Sequence, residues 1–167
     1  MIPEREESTK PNAPPRFVAD AMLGRLAKWL RMMGYDVTFL ADVDDIEVLR
    51  HARAEGRFLL TRDRHLARRA GVLGVLISSQ HLEDQLRELA EAGIIQGPLG
   101  VTRCPLCNEV LTELPRASAR DRVPPYVYQT QNVFYECPAC ARVYWAGTHW
   151  QNVQATWQAL GWYDDES

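Results

Sequence analysis

The stretch from Arg57 to Arg64, RFLLTRDR, joins a short apolar run directly to the carboxylate of Asp63. The residues RFLL have the apolar, aromatic character of a buried strand. Two other segments follow the same pattern: RFVAD, which ends at Asp20, and DVTFLADVDD, which ends at Asp45. One such junction would mean little, since aspartate is a favoured residue at helix starts. Three junctions predict that three strands bring carboxylates to one place.

Strand-like and helix-like segments alternate from Arg16 to Gly93. The strand-like segments are RFVAD, DVTFL, RFLL and GVLGVLIS, and the helix-like ones are AMLGRLAKWLRMM, DDIEVLRHARAE, DRHLARRA and HLEDQLRELAEA. This order predicts an α/β fold in which helices flank a parallel sheet. Ligands of such sheets bind outside the carboxyl ends of the strands. We therefore expect the acids to share one edge of the sheet, here named the carboxylate rim: Asp20, Asp42, Asp44, Asp45 and Asp63.

Shifts in composition divide the chain into three parts. Residues 1–15 are polar, acidic and proline-rich, which predicts a disordered N-terminal segment. Residues 16–98 carry the alternating pattern, which Gly97 and Pro98 end. Residues 99–167 hold two Cys-x-x-Cys pairs and a terminal helix with one apolar face, formed by Trp150, Val153, Trp157 and Leu160. We expect an α/β domain followed by a small metal-binding module and this helix.

The composition is that of a globular protein, with 46% hydrophobic and 25% charged residues among 167. No apolar run approaches the roughly 20 residues that cross a bilayer, and the first residues do not resemble a signal peptide. We therefore expect a cytoplasmic protein with no membrane partner. The net charge of −3 hides a basic stretch, because residues 16–70 hold eleven Lys or Arg against eight acids. This balance permits a nucleic-acid partner without requiring one.

Four cysteines form the most specific motif: CPLC contains Cys104 and Cys107, and CPAC contains Cys137 and Cys140. Two such pairs can supply the four thiolates of a tetrahedral zinc site. Disulfides are the competing interpretation, which a cytoplasmic chain disfavours. Four sulfur ligands leave no open position, so we expect structural zinc. The 29 residues between the pairs exceed the usual spacing, and the segment ASARDRVPPY is expected to form an extra loop.

The carboxylate rim has two interpretations. Each aspartate could simply cap a helix. Several carboxylates in one crevice repel one another, however, unless they are protonated or share a cation, and their oxygen atoms suit Mg²⁺ or Mn²⁺. Such ions polarise phosphoryl oxygens and activate water. The rim therefore indicates a metal-dependent phosphodiesterase, with helix capping as the alternative.

Three segments carry a family resemblance: FVADAMLGRLAKWLRMMGYDV, DDIEVLRHARAEGRFLLTRDR and RDRVPPYVYQTQNVFYECPACARVYWAGTHW. They resemble the PIN-like ribonuclease domain with a C-terminal zinc ribbon that is named for its place at the C-terminal end of the Mut-seven exonucleases. The resemblance runs from Arg16 to Trp150 and includes both the Asp-x-Met-Leu-Gly-Arg-Leu and the Thr-Arg-Asp motifs. It implies a PIN-like fold, divalent-metal ribonuclease chemistry and RNA as the substrate.

The resemblance also implies roles for individual acids. Asp20 and Asp63 would hold the Mg²⁺ or Mn²⁺ ion, with Asp45 as the third acid. PIN-type nucleases generally assemble four acids, and the fourth is open here. Asp44, which we include in the predicted catalytic set, is one of three candidates: Asp44, Asp42 and the more distant Asp84.

Four basic residues are candidate RNA contacts: Arg25, Lys28, Arg62 and Arg64. They could neutralise substrate phosphates or compensate the acids, and a solvated helix face is the alternative. Aromatic residues around the second cysteine pair, such as Tyr135, could stack on bases. Small zinc modules also need aromatic packing, which is the competing interpretation for these residues.

Together these features predict a metal-dependent endoribonuclease whose zinc ribbon helps to position RNA. Two alternatives stay open. A non-catalytic RNA-binding or ribosome-associated module would bind through the ribbon and the basic face and use the acids as helix caps. A phosphatase or phosphoryl-receiver site is less favoured, because it needs a downstream lysine and both Lys10 and Lys28 are poorly placed for that role.

Overall fold

The first sheet has four strands in the computed structural model, which describes residues 13–162. These strands are β1 (Phe17–Asp20), β2 (Val37–Leu40), β3 (Phe58–Thr61) and β4 (Gly74–Leu76). Neighbouring strands are parallel, and their order is β2-β1-β3-β4. The predicted α/β fold with a parallel sheet is therefore confirmed. The predicted N-terminal segment 1–15 lies outside the described residues apart from its last three.

Four helices follow the four strands: α1 (Gly24–Met32), α2 (Asp45–Glu55), α3 (Arg64–Ala70) and α4 (Leu82–Glu91). Two differences from the expected boundaries concern short 3-10 turns. The first predicted helix begins as a 3-10 turn over Ala21–Leu23. The strand predicted over GVLGVLIS also begins with such a turn, since Gly71–Leu73 is 3-10 and only Gly74–Leu76 is strand. At Gly74, where β4 begins, a Cβ atom would lie 2.0 Å from the carbonyl oxygen of Ala67, so α3 packs directly on the backbone there.

Side chains that alternate along the strands build a core on each face of the sheet. Phe17, Ala19 and Leu60 face α1 and α4, whereas Val18 and Leu59 face α2 and α3. All five are fully buried. The parallel strands are apolar on both faces for this reason, and the domain has three layers, with the sheet between two pairs of helices.

The cysteine-bearing module has its own small antiparallel sheet, with strands β5 (Thr112–Leu114), β6 (Phe134–Glu136) and β7 (Val143–Tyr144) in that order. Leu114, Val127 and Phe134 belong to its separate core. The segment 117–126, which was expected to form an extra loop, contains most of helix α5 (Arg116–Ala119) and the start of helix α6 (Pro125–Thr130). That expectation is wrong because buried Ala119 and Val123 give the segment apolar contacts of its own.

The terminal helix α7 (Thr148–Ala159) packs on the first domain rather than only on the cysteine module with which the sequence grouped it. Its predicted apolar face is correct: Val153 and Trp157 are buried in the same cluster as Phe17, and Trp150 and Leu160 pack against that cluster. The α/β core therefore extends beyond residues 16–98 to include α7. Within residues 13–162, no helix combines the length and apolarity needed to span a membrane.

Candidate metal centre and candidate active site

The four cysteines converge on one point. All four Sγ atoms lie within 4.8 Å of one another, and those of Cys104 and Cys140 are 3.9 Å apart. Sulfur atoms that bind zinc at about 2.3 Å lie about 3.8 Å apart at the corners of a tetrahedron. The thiol donors and their spacing therefore fit a structural zinc ion held by Cys104, Cys107, Cys137 and Cys140.

Both cysteine pairs use the same backbone turn. The amide of Asn108 donates to the carbonyl oxygen of Cys104 over 2.8 Å, and the amide of Ala141 donates to that of Cys137 over 2.9 Å. Asn108 and Ala141 have φ angles of 67° and 61°, in the left-handed region that asparagine tolerates better than alanine. The shared turn brings both sulfurs of each pair to the common centre.

The hydroxyl of Tyr144 lies 3.0 Å from the Sγ atom of Cys104. Burial raises the pKa of the Cys104 thiol, but hydrogen bonds from Tyr144 and from the amides of Cys107 and Leu106 outweigh it and bring the pKa to about 7. Burial and this same hydrogen bond raise the pKa of Tyr144, so the tyrosine keeps its proton and donates to the sulfur. Partners that orient metal ligands in this way typically change metal affinity by about 10–100-fold.

The first cysteine turn is attached to the outer edge of the parallel sheet. The side-chain oxygen of Asn108 accepts from the amide of Val37 over 3.0 Å. The buried side chain of Arg31 donates to the carbonyl oxygens of Val37 and Pro105 over 2.9 and 2.7 Å. Because β2 is an edge strand, these contacts satisfy backbone groups that would otherwise stay unpaired. They also fix the metal centre relative to α1 and β2.

Arg57, the first residue of the RFLLTRDR stretch, extends this attachment and was not singled out from the sequence. It is only 6% exposed, and its guanidinium nitrogens lie 2.8 and 3.2 Å from the two carboxylate oxygens of Asp36. Asn108 donates to the same carboxylate over 2.7 Å. Burial raises the pKa of Asp36, but the hydrogen bonds from Arg57 and Asn108 outweigh it, so the pKa is lowered overall.

At the carboxylate rim, Thr61 connects Asp20 with Asp63. Its hydroxyl donates to Oδ2 of Asp20 over 2.8 Å and accepts from the amide of Asp63 over 3.0 Å. The Thr61 side chain is fully buried, and β1 and β3 are neighbours in the sheet. Asp20 and Asp63 thus stand at the ends of adjacent strands. Thr61 belongs to the Thr-Arg-Asp motif and no role was predicted for it, although a hydroxyl at the end of a buried strand indicates one.

Three of the rim acids also act as helix caps. Oδ1 of Asp63 accepts from the amides of His65 and Leu66, and Oδ1 of Asp44 accepts from the amide of Glu47 over 3.0 Å. Oδ1 of Asp20 accepts from the amide of Ala21 over 2.6 Å. Asp45, which was predicted as the third acid, is the first residue of α2 and is partly exposed. Capping and a further role are compatible, because a cap uses only one carboxylate oxygen.

The rim acids are not gathered as tightly as the cysteines. Across residues 13–162, the cysteine cluster alone has three or more possible ligand atoms within 4.8 Å of one another. The structure therefore connects Asp20 with Asp63 through Thr61 and does not bring three of the rim acids within that distance. Mg²⁺ usually binds through one or two carboxylates and completes its shell with water and substrate phosphates. The chemistry of the Asp20 and Asp63 pair fits such an ion.

The four basic candidates fall into two groups. Arg25 and Lys28 are exposed on α1 and line a cavity of about 1670 Å³ that α1 shares with the cysteine module. Arg62 and Arg64 flank Asp63, where Arg64 is exposed and Arg62 is partly buried. The Nε atom of Arg62 is buried and has no hydrogen-bond partner among residues 13–162. Arg25 and Lys28 therefore lie along the cavity, whereas Arg62 and Arg64 lie next to the carboxylate of Asp63 in the chain.

The fold and its two sites define a class: an α/β domain with carboxylates at the ends of parallel strands and an attached four-cysteine module suited to zinc. The chain belongs to the Mut7-C RNAse domain family, whose model matches residues 15–157. This match confirms the family resemblance seen in the sequence and indicates ribonuclease activity on RNA. No curated protein and no solved structure matches the chain.

Proposed function

We propose that this protein is a metal-dependent endoribonuclease that hydrolyses RNA phosphodiester bonds at the carboxylate rim by PIN-like chemistry. In this proposal Asp20 and Asp63 bind a Mg²⁺ or Mn²⁺ ion, with Asp45 as the third acid and Asp44 as the fourth. The supporting observation is the hydrogen-bonded connection from Asp20 through Thr61 to Asp63 at adjacent strand ends. Family membership supports RNA as the substrate.

The side chains at the rim have separate tasks in this proposal. Thr61 orients Asp20 so that Oδ1 stays directed at the amide of Ala21 and the carboxylate cannot rotate freely. Asp63 uses Oδ1 as a helix cap, which leaves Oδ2 available as a ligand. A divalent ion at this position would supply Lewis acidity for attack by water and neutralise charge on the phosphate.

Arg62 and Arg64 contact substrate phosphates in this proposal. Both flank Asp63 in the sequence, Arg64 is exposed and Arg62 is partly exposed. Neither residue forms an ion pair with another described residue, so no described carboxylate competes with a substrate phosphate for either guanidinium. Contacts of this kind position the nucleic acid without reading its sequence.

The test is cleavage of a circular single-stranded RNA, which has no end and can be opened only by an endonuclease. The protein is assayed with Mg²⁺, with Mn²⁺ or without added divalent ion, and zinc content is measured in every sample. We expect cleavage only with added ion. Linear end-labelled RNA serves as the second substrate, and its product lengths report where cutting occurs.

Asparagine variants test the individual acids. Asp20→Asn and Asp63→Asn should each lower the cleavage rate by at least about 100-fold, because a neutral amide cannot replace an anionic ligand. Their folds should persist, since asparagine caps helices as well as aspartate does. Asp121→Asn, the same change at an exposed residue of the cysteine module, is the control. Full turnover by either rim variant would remove that acid from the mechanism.

A non-catalytic RNA-binding module is the second candidate. Two observations favour it: Asp20, Asp44 and Asp63 all act as caps, and no three rim acids lie within metal-binding distance of one another. Tight RNA binding by a folded, zinc-loaded protein that cuts no RNA with either ion would establish it. We also propose a cytoplasmic location, where a reducing environment keeps the four thiols available for zinc.

A further inference from the structure

A wide groove separates α1 from the cysteine module. It is the cavity of about 1670 Å³ that Arg25 and Lys28 line from the side of α1. Arg142 and Tyr135 line it from the opposite side, Trp145 lies just before α7, and His149 is the second residue of that helix. The contact of Arg31, on α1, with Pro105 and the contact of Asn108 with the edge strand β2 hold the two walls in place.

The charges along this groove are of one sign. Its lining, which lies wholly within residues 13–162, contains four basic residues, Arg25, Lys28, Arg122 and Arg142, and no Asp or Glu. Arg122 is paired with Glu136 over 3.0 Å, whereas the other three form no ion pair with a described residue. The whole chain carries a charge of −3, so this basic lining is a local feature. It favours an anionic chain as the ligand.

The same groove holds exposed apolar and aromatic side chains. Leu106 is 49% exposed, Val133 is 48% exposed and Tyr135 is 42% exposed. These side chains therefore do not serve mainly to fill the core of the cysteine module. Bases of a single strand stack on such surfaces, whereas those of a duplex stay hidden inside the helix. A polyanion with accessible flat bases therefore fits both the charge and the apolar character of the lining.

The groove also leads toward the carboxylate rim. Helix α1 starts one short turn after Asp20, and Arg25 lies at this end of the helix. Met32, at the other end of α1, also lines the groove. The groove thus follows α1 for about 10 Å away from the rim. One end of a nucleic-acid strand that lies in the groove would therefore be beside Asp20.

We infer that this groove binds single-stranded RNA and leads it to the carboxylate rim. Arg25, Lys28 and Arg142 contact the phosphates, and Tyr135 stacks on a base. The inference rests on the proposed function for what happens to the RNA at the rim, whereas binding in the groove does not require cleavage.

The first experiment measures binding of a fluorescent single-stranded RNA of mixed sequence by anisotropy. The protein carries Asp20→Asn and Asp63→Asn so that cleavage does not interfere. Adding Lys28→Glu and Arg142→Glu should weaken binding at least about tenfold, because two phosphate contacts become repulsive. Adding Arg68→Glu and Arg120→Glu instead gives the same change in charge at exposed residues outside the groove lining, and this control should weaken binding much less.

Salt dependence and stacking give two further readouts. With Lys28→Gln and Arg142→Gln, the slope of log affinity against log salt should fall by about 1.4, the value for two lost phosphate contacts on a single strand. Tyr135→Leu should weaken binding about fivefold or more, whereas Tyr135→Phe should restore it, because phenylalanine keeps the flat ring. Tyr126→Leu, at a residue 69% exposed and outside the groove, is the matched control.

The outcomes distinguish this inference from the proposed function. Equal effects of the groove and control variants, equal affinity for duplex RNA, or no RNA binding by the zinc-loaded protein would each overturn the inference, and the last would favour a protein ligand. Groove-dependent RNA binding by a protein that cleaves no RNA would support the inference and contradict the proposed function. Cleavage that the groove variants leave unchanged would support the proposed function and contradict the inference.

Discussion

The cysteine cluster and the carboxylate rim were both predicted as metal sites, and they differ in how far the folded chain completes them. The four sulfurs lie within 4.8 Å of one another, two of the cysteines are buried, and Tyr144 supports Cys104. Asp20 and Asp63 are connected through Thr61, and one carboxylate oxygen of each accepts a hydrogen bond from a backbone amide as a helix cap. The chain supplies all four ligands of the first site, whereas in the proposed function the second site is completed by a divalent ion and the RNA.

The difference follows from charge and chain geometry. The pKa values of the Cys107 and Cys137 thiols are raised, the first chiefly by a neighbouring cysteine and the second chiefly by burial, so these thiols can approach one another before a metal binds. Ionised carboxylates repel one another unless a cation bridges them. Two short turns fix the sulfurs within each pair, so only the two turns must meet. The acids come from separate strands, and their spacing depends on the whole sheet. A closed structural site and an open catalytic site would be expected to differ in this way.

The largest effect is expected when one of the four cysteines is replaced. Cys137→Ser should abolish stoichiometric zinc binding, which contributes on the order of 10 kcal/mol to the folding of small zinc modules. The module core around Phe134 should unfold, while the two cores of the parallel sheet keep their helices. Zinc analysis and hydrogen exchange by mass spectrometry measure both effects, with Asp121→Ser as the control. Retained zinc at one ion per chain would contradict a four-cysteine site.

An intermediate effect is expected from a change at Asp36, which connects the cysteine module with the parallel sheet through Asn108 and Arg57. The pKa of Asp36 is lowered in the folded protein, chiefly by Arg57 and Asn108 acting against burial. Its contribution to stability is therefore present above the unfolded pKa of about 3.9 and is lost as pH falls through the folded value. Asp36→Asn should cost about 1.5–3 kcal/mol at pH 7, as expected for a hydrogen-bonded charge pair.

Urea unfolding between pH 3 and 7 is the measurement for Asp36. The difference in unfolding free energy between the native chain and Asp36→Asn should shrink as pH falls below about 4. Asp84→Asn removes a carboxylate from an exposed pair with Arg87 and should change stability little at any pH. A pH-independent difference for Asp36→Asn would show that shape, and not charge, carries the contribution of this residue.

The smallest effect is expected from a change at Thr61, which connects two acids of the carboxylate rim. Thr61→Val keeps the size of the side chain but removes the hydroxyl between Asp20 and Asp63, at a cost of about 1–2 kcal/mol in stability. Cleavage should fall about tenfold through kcat with little change in KM, because substrate contacts remain. Thr61→Ser should restore both properties. If Thr61→Val loses stability but keeps full kcat, the hydroxyl is a structural link alone.

Much of this molecule could be read from local patterns. Short apolar runs and the aspartates that follow them predicted the strands and helices near Asp20 and Asp63, because those signals act within a few residues. The paired Cys-x-x-Cys motifs predicted the zinc site for the same reason. The family resemblance rested on contiguous motifs and was confirmed by the match over residues 15–157.

Contacts between distant residues decided the rest. Only the folded chain places Val153 and Trp157 in the core of the first domain, joins Asn108 to Val37, and sets Thr61 between two acids. The groove between α1 and the cysteine module is equally a product of that packing. The sequence by itself determined the kinds of elements and ligands, since propensity and spacing are local. The tertiary structure decided which acids meet and which stay apart, because that depends on sheet register and on mutual repulsion among charges.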